Sequence, residues 1–221
     1  MDIIYEDNHI LIVNKKPGEI VQGDKTGDKP LSEILKEYLK EKYNKPGNVF
    51  CGVVHRIDRP VGGLVIFART SKALERLNSM LRNHEIHKTY LALVEGAPKN
   101  EKATLTNYLK SNQKLNKTFL ADENDPEAKK SVLDYETVAK GERYTLLKIK
   151  LRTGRKHQIR AQLSAIGHPI KGDLKYGARR SNPDGGISLL SYQIDFIHPV
   201  SKLPVAVEAE LPQEFKKFLP E

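Results

Sequence analysis

Between Tyr90 and Leu151 the apolar residues alternate in short runs, at 90–94, 104–109, 132–139 and 144–151, and no helical pattern separates them. Alternation puts successive side chains on opposite faces, so each run reads as a half-buried strand. Parallel neighbours need a long crossover, usually a helix, and none is written between these runs. This part of the chain is therefore expected to form a largely antiparallel or mixed sheet.

Further strand candidates lie at 10–13, 64–69, 189–196 and 205–210. Three segments carry helical periodicity instead. In 31–43, Leu31, Ile34, Leu35, Tyr38 and Leu39 make one apolar face, and in 71–82 Leu74, Leu77 and Leu81 do the same. A shorter helix is expected in "KHQIRAQLSAIGHP", with Ile159, Leu163 and Ile166 on one face, a stop at Gly167 and Pro169 beyond. Loops are expected at "NKKPGE", "NKPGN" and "RRSNPDGG", and 122–130, with Pro126 inside it, reads as a mobile insertion between two strands. The expected fold class is α+β: one domain, 1–221, with a mixed, largely antiparallel central sheet flanked by helices and loops.

A chain of 221 residues buries a core without staples, and its 37 Lys and Arg against 28 Asp and Glu leave a net charge of +9. That excess favours an acidic partner, nucleic acid first. Cys51 is the single cysteine, which excludes an intramolecular disulfide and any cysteine-rich zinc ribbon and fits a reducing compartment, the cytoplasm by default. The N-terminus lacks the basic region and cleavage site of a signal peptide, and no apolar stretch nears the ~20 residues that span a bilayer.

Three stretches could carry chemistry. "HRIDRPVGG" sets Asp58 between Arg56 and Arg59, on a loop between "VFCGVV" and the strand "GLVIFAR". The two arginines are expected to keep that carboxylate ionised; a surface salt bridge is the plainer alternative. The second stretch, "KIKLRTGRKHQIRAQL", lies in a run from Arg143 to Lys171 that contains no acid. A strand ending in "RTGR" and turning into a helix presents Arg152, Arg155, Lys156 and His157 beside free helix N–H donors, which suits phosphates; a solvated basic face is the alternative. The third, "HEIHKTYLALVEG", spaces His84 and His87 as metal ligands on a helix could be, but no third ligand has matching spacing, so no metal is expected. Tyr90 opens the strand here, either as core or as a phenol that stacks on a base or moves a proton.

No "GxxxxGK[ST]" and no "GxGxxG" after a strand is present, so nucleotide or dinucleotide chemistry has no support. Cys51 sits in an apolar run and is expected to be buried rather than a thiolate nucleophile. If the chain acts on RNA, the remaining nucleophile candidate is a carboxylate.

"HRID" followed by "GLVIFART", then "HKTYLALVEG", then "LRTGRKHQIRAQLSAIGHPIKGDLKYG", in this order, resembles the RluA-type pseudouridine synthases, and the opening "IIYEDNHILIVNKKPGEIVQGD" and late "LLSYQIDFIHP" extend the resemblance over nearly the whole chain. The family isomerises uridine in RNA to pseudouridine. The resemblance implies that Asp58 is the catalytic aspartate, that Tyr90 lies against the target base, that Arg160 is the basic partner of the aspartate and that Arg56 helps displace the base. It implies a single catalytic domain without a separate N-terminal S4 domain, an RNA substrate (ribosomal or transfer RNA), no cofactor and no metal, in a monomer. Where the family usually has Thr-Ser-Gly or a similar trio, the chain has Val61, Gly62 and Gly63; the hydroxyls are lost, and the two glycines are expected to loosen the loop. They motivate the competing reading, a catalytically inactive RNA-binding or RNA-chaperone protein on the same scaffold.

Overall fold

A computed structural model describes residues 2–219. They form two compact units: the chain up to His87 with Ser191–Glu210, and Lys88–Leu190 with the segment from Leu211 on.

In the first unit β1 (Asp2–Glu6) pairs antiparallel with β2 (Ile10–Lys15). The helix α1 (Leu31–Lys42) follows, then the two-residue β3 (Gly52–Val53) and β4 (Gly62–Ala68), which lies antiparallel to β2 with Ile12 opposite Ile66. β2 and β4 are apolar on both faces because both faces are covered. Leu31, Leu35 and Leu39 of α1 repeat every four residues and pack on Leu11, Val13, Val65 and Phe67, closing one core with Cys51. Burial pushes the Cys51 thiol up to about 12, so it is packing, as expected, and not a nucleophile. The second helix, α2 (Ser71–Arg82), starts where the Thr70 hydroxyl accepts the Ala73 N–H at 3.1 Å, and it buries Ala73, Leu77 and Met80.

In the second unit β5 (His87–Glu95), β6 (Lys102–Asn112), β7 (Lys117–Ala121), β8 (Lys129–Lys140) and β9 (Tyr144–Leu151) pair antiparallel in the order β5-β9-β8-β6-β7. The helix α3 (Gln158–Ala165) and a 3₁₀ turn at Leu174–Tyr176 follow. β10 (Leu189–Ile197) then carries the chain back to the first unit, where it lies beside β4 and pairs antiparallel with β11 (Pro204–Glu208); α4 (Gln213–Lys216) ends the second unit. The fold class is thus the expected α+β.

The expected mobile insertion is a tied turn. Residues 122–128 join β7 to β8, the Asp122 and Asp125 carboxylates accept the N–H groups of Asn124 and Glu127, both at 2.9 Å, and Lys110 bridges Asp125 at 3.0 Å and Glu127 at 2.6 Å.

Candidate active site

The first unit holds Asp58 on a turn fixed at several points. The Val61 N–H donates to the Asp58 carbonyl at 3.0 Å, which folds Arg59 and Pro60 into the bend, and the Gly18 N–H donates to the Arg59 carbonyl at 2.9 Å. Upstream, the buried His55 accepts the Ile66 N–H on Nε2 at 3.2 Å, which leaves its ring proton on Nδ1 when neutral and ties the chain to β4.

The strongest restraint is a residue the sequence reading passed over. Lys15, at the end of β2, is 1% exposed, and its ammonium donates to the carbonyls of Lys16 at 2.9 Å, Glu19 at 2.8 Å and Arg59 at 3.0 Å. Burial pulls its pKa down to about 8, against the opposing charges of Glu19 and Asp58. A full set of three acceptors keeps it an ammonium at neutral pH, and its charge is felt at the Asp58 turn. The signal was present in "IVNKK", a lysine directly after an apolar strand, but nothing in the sequence shows that the strand's end is buried.

Arg56 and Arg59 point elsewhere. Arg59 forms an ion pair with Asp28, and the exposed Arg56 reaches Gln22 Oε1 at 3.3 Å. The expectation that the two glycines loosen the loop is overturned for Gly63. Its φ is +108°, and a Cβ there would lie 2.3 Å from the Ser191 carbonyl oxygen, so the position is tightly packed and only glycine fits it.

The second unit carries the other expected residues. Tyr90, on β5, is buried; it lies opposite Ile149, which lies opposite Tyr135, which lies opposite Ala103 of β6. Directly paired residues share a face. Leu109, three alternations further along β6 on that same face, packs against Ala161 of α3 and Tyr176. Register thus brings Tyr90 and the helix of Arg160 to one face of this sheet.

Two glutamines seat α3 on the strands. The Gln158 Oε1 accepts the Thr153 hydroxyl at 2.8 Å and the Arg155 N–H at 3.0 Å, while its Nε2 donates to the Val132 carbonyl at 3.1 Å. Gln162 donates to Asn107 Oδ1 at 2.8 Å and to the Ser131 carbonyl at 3.2 Å. Arg160, between them, is 5% exposed and pairs through two N–H groups with the buried Asp173.

The acid-free run is not acid-free in space. On β9, Lys148 and Lys150 lie opposite Glu136 and Asp134 of β8, and the Arg152 guanidinium grips Asp134 at 2.6 and 3.0 Å. Sequence separation hid this compensation. Arg155 and Lys156 remain exposed, whereas His157 turns inward as the first residue before α3, at φ +52°, with Nδ1 2.9 Å from the Tyr176 hydroxyl.

A family model described as RNA pseudouridylate synthase matches residues 9–165. The chain is 31% identical to the ribosomal large subunit pseudouridine synthase D of Zymomonas mobilis, over 98% of this chain and 71% of that protein. It is also 31% identical to the tRNA pseudouridine synthase C of Vibrio cholerae, over 100% of this chain and 95% of that one. Among solved structures, Human RNA Pseudouridylate Synthase Domain Containing 4 superposes with a TM-score of 0.81 over 97% of this chain and 90% of that one, at 19% identity, which speaks for the fold alone.

Proposed function

The chain belongs to the RNA pseudouridylate synthase family, enzymes that isomerise uridine to pseudouridine in RNA, and from that premise we propose that Asp58 is its catalytic residue, with Tyr90 and Arg160 completing the machinery. In the reaction the bond from the ribose carbon to the base nitrogen breaks and a bond to carbon 5 forms. The hydrogen on carbon 5 leaves to solvent and the ring nitrogen gains one, so atoms balance without any second substrate.

The observation that carries this reading is the preparation of the Asp58 turn. A carboxylate that attacks or promotes cleavage must be charged and fixed in direction. The Asp58 charge acts on the buried Lys15 ammonium, and the hydrogen bonds to the Asp58 and Arg59 carbonyls fix the backbone. Tyr90, on the face that carries α3, is assigned to the target base and the carbon-5 proton. Arg160 is assigned as the basic partner and Arg56 to displacement of the base. Extruding a paired uridine costs roughly a few kcal/mol, which phosphate contacts from Arg152, Arg155 and Lys156, beside His157, are proposed to offset.

The substrate proposed is a specific uridine in structured ribosomal or transfer RNA, the classes on which the two relatives act by name. The enzyme is proposed to work as one catalytic domain, a monomer in the cytoplasm, with neither cofactor nor metal. Ribosomal and transfer RNA transcripts tritiated at uridine carbon 5 test the reading: wild type releases tritium and Asp58→Asn does not, with its circular dichroism unchanged. Release by Asp58→Asn at the wild-type rate removes the carboxylate from its role, and silence of the wild type on every transcript removes the reading as a whole.

A further inference from the structure

Lys88 is the second residue of β5 and shares a face with Tyr90, because residues two apart on a strand point the same way, about 7 Å from each other. Register places both near α3. Thr89 lies opposite Lys150, so Lys88 falls level with Leu151, which lies opposite Leu133, which lies opposite Leu105. The Leu105 carbonyl accepts from Gln162 of α3 at 3.2 Å. The row of Tyr90, through Ile149 and Tyr135 to Ala103, lies one step further along the strands.

Lysines on the two faces of this sheet are treated differently. Lys148 and Lys150 lie opposite Glu136 and Asp134, whereas the row level with Lys88 and the row of Tyr90 contain no carboxylate. Lys88 is half-buried, and among the described residues no hydrogen bond or ion pair reaches its ammonium. Burial alone acts on it and pulls its pKa below the ordinary lysine range. Lys15, by contrast, has three carbonyls around its ammonium. A cation taken from water with no partner costs stability, and groups perturbed in this way cluster where chemistry is done.

Breaking the bond from the ribose carbon to N1 leaves its electron pair on the uracil ring, where N1, O2 and O4 share the negative charge. We propose that Lys88 is a catalytic residue of the isomerase: its ammonium donates to a uracil oxygen and stabilises the charge on the ring while the base is detached. The lysine keeps its proton throughout. An electron pair of the ring makes the new bond from carbon 5 to the ribose carbon, the carbon-5 proton leaves to solvent by way of Tyr90, and N1 gains one. A developing negative charge favours the ammonium that burial disfavours, so the contact is strongest in the transition state and acts on kcat. The proposal rests on the assignment of Tyr90 to the target base.

Lys88→Met keeps the length of the side chain and removes the charge. It is expected to raise the urea midpoint, since an unpartnered cation leaves a half-buried place, and to lower kcat for tritium release about 100-fold. KM and the salt slope of RNA binding are expected to stay unchanged. Lys88→Cys is expected to lose as much and to recover about tenfold or more on treatment with 2-bromoethylamine, in which the thiolate displaces bromide and gains an ammonium at nearly the length of lysine. Cys51, buried and with its thiol pushed up to about 12, stays out of that reaction, and wild type treated alike keeps its rate. Wild-type kcat in Lys88→Met or no recovery on alkylation overturns the proposal, as does a change confined to KM or to the salt slope, which would assign Lys88 to a phosphate. A lowered urea midpoint, or a variant that does not fold, makes the lysine structural and overturns it too. A wild type silent on every transcript overturns the assignment of the reaction and this proposal together; the Lys88 outcomes on an active wild type bear on this proposal alone.

Discussion

The carbonyl oxygen of Ser191 lies 2.3 Å from the place a Cβ on Gly63 would occupy, so β10 and the segment leaving the Asp58 turn touch backbone to backbone. Gly62 differs, having ordinary φ and only Pro17 and the Lys15 carbonyl near its absent Cβ, the closest at 3.4 Å. Gly63→Ala is expected to destabilise by about 3 kcal/mol or more through clash and a left-handed φ, and Gly62→Ala by about 1 kcal/mol or less. Urea denaturation of the two variants side by side checks this. Equal midpoints would mean the contact relaxes at no cost.

Lys15→Met keeps the length of the side chain and removes the ammonium from three carbonyls, of which those of Lys16 and Arg59 keep a backbone donor, the N–H groups of Glu19 and Gly18. Hydrogen bonds made by a charged group contribute about 1.5–3 kcal/mol, so with these donors left in place a net loss of about 2–3 kcal/mol is expected. The Arg59 carbonyl is one of the three, so tritium release by the folded variant is expected to fall as well. An unchanged rate in folded Lys15→Met would show that the Asp58 turn keeps its shape without this tie.

Most of the regular structure was legible because it follows from periodicity. The helix at Ser71–Arg82 and the strand at Tyr144–Leu151 appear with the expected ends, and the remaining expected helices and strands differ by a few residues. The elements missed are β1, β3, β7, the 3₁₀ turn at Leu174–Tyr176 and α4, all of five residues or fewer and too short to show a period. β3 has only two residues, and β7 depends on β6 and on the Tyr176 hydroxyl that caps its Thr118 edge. At the site, the sequence identified Asp58, Tyr90 and Arg160 as candidates by motif, since side-chain type and order survive in one dimension. It could not show that Lys15 is buried, that Asp173 meets Arg160, or that Asp134 and Glu136 face the basic strand, because each is a contact across many residues.

Glu6 gives the first unit a defined response to acid. Burial works to raise its carboxyl, but hydrogen bonds from Tyr43, Lys42 and Tyr38, with the Lys42 charge, hold it down to about 2, against an ordinary 4.5. A carboxylate with a depressed folded pKa stabilises the fold above its unfolded value, and that stability is lost as pH falls from about 4.5 towards 2. Glu6→Gln is expected to lower stability at pH 7 by about 1–3 kcal/mol and to flatten the acid slope in this window. Urea midpoints from pH 2 to 7 for both proteins decide it; parallel curves would assign the acid response elsewhere.

The cations around α3 should contribute unequally to RNA binding if their charge is already compensated unequally. Arg152 holds Asp134 through two N–H groups, so its removal exposes a carboxylate as well as deleting a cation. Arg155 and Lys156 are exposed, and no carboxylate lies within ion-pair distance of either among the described residues. Each phosphate contact contributes about one unit to the slope of log K against log salt. Arg155→Ala and Lys156→Ala are each expected to reduce that slope by about one. Arg152→Ala is expected to weaken binding at low salt while changing the slope by about half as much, since its partner is partly Asp134 rather than phosphate. Filter binding of a ribosomal RNA transcript across a salt series measures all three, and an Arg152 slope change equal to that of Arg155 would show that RNA displaces Asp134 completely.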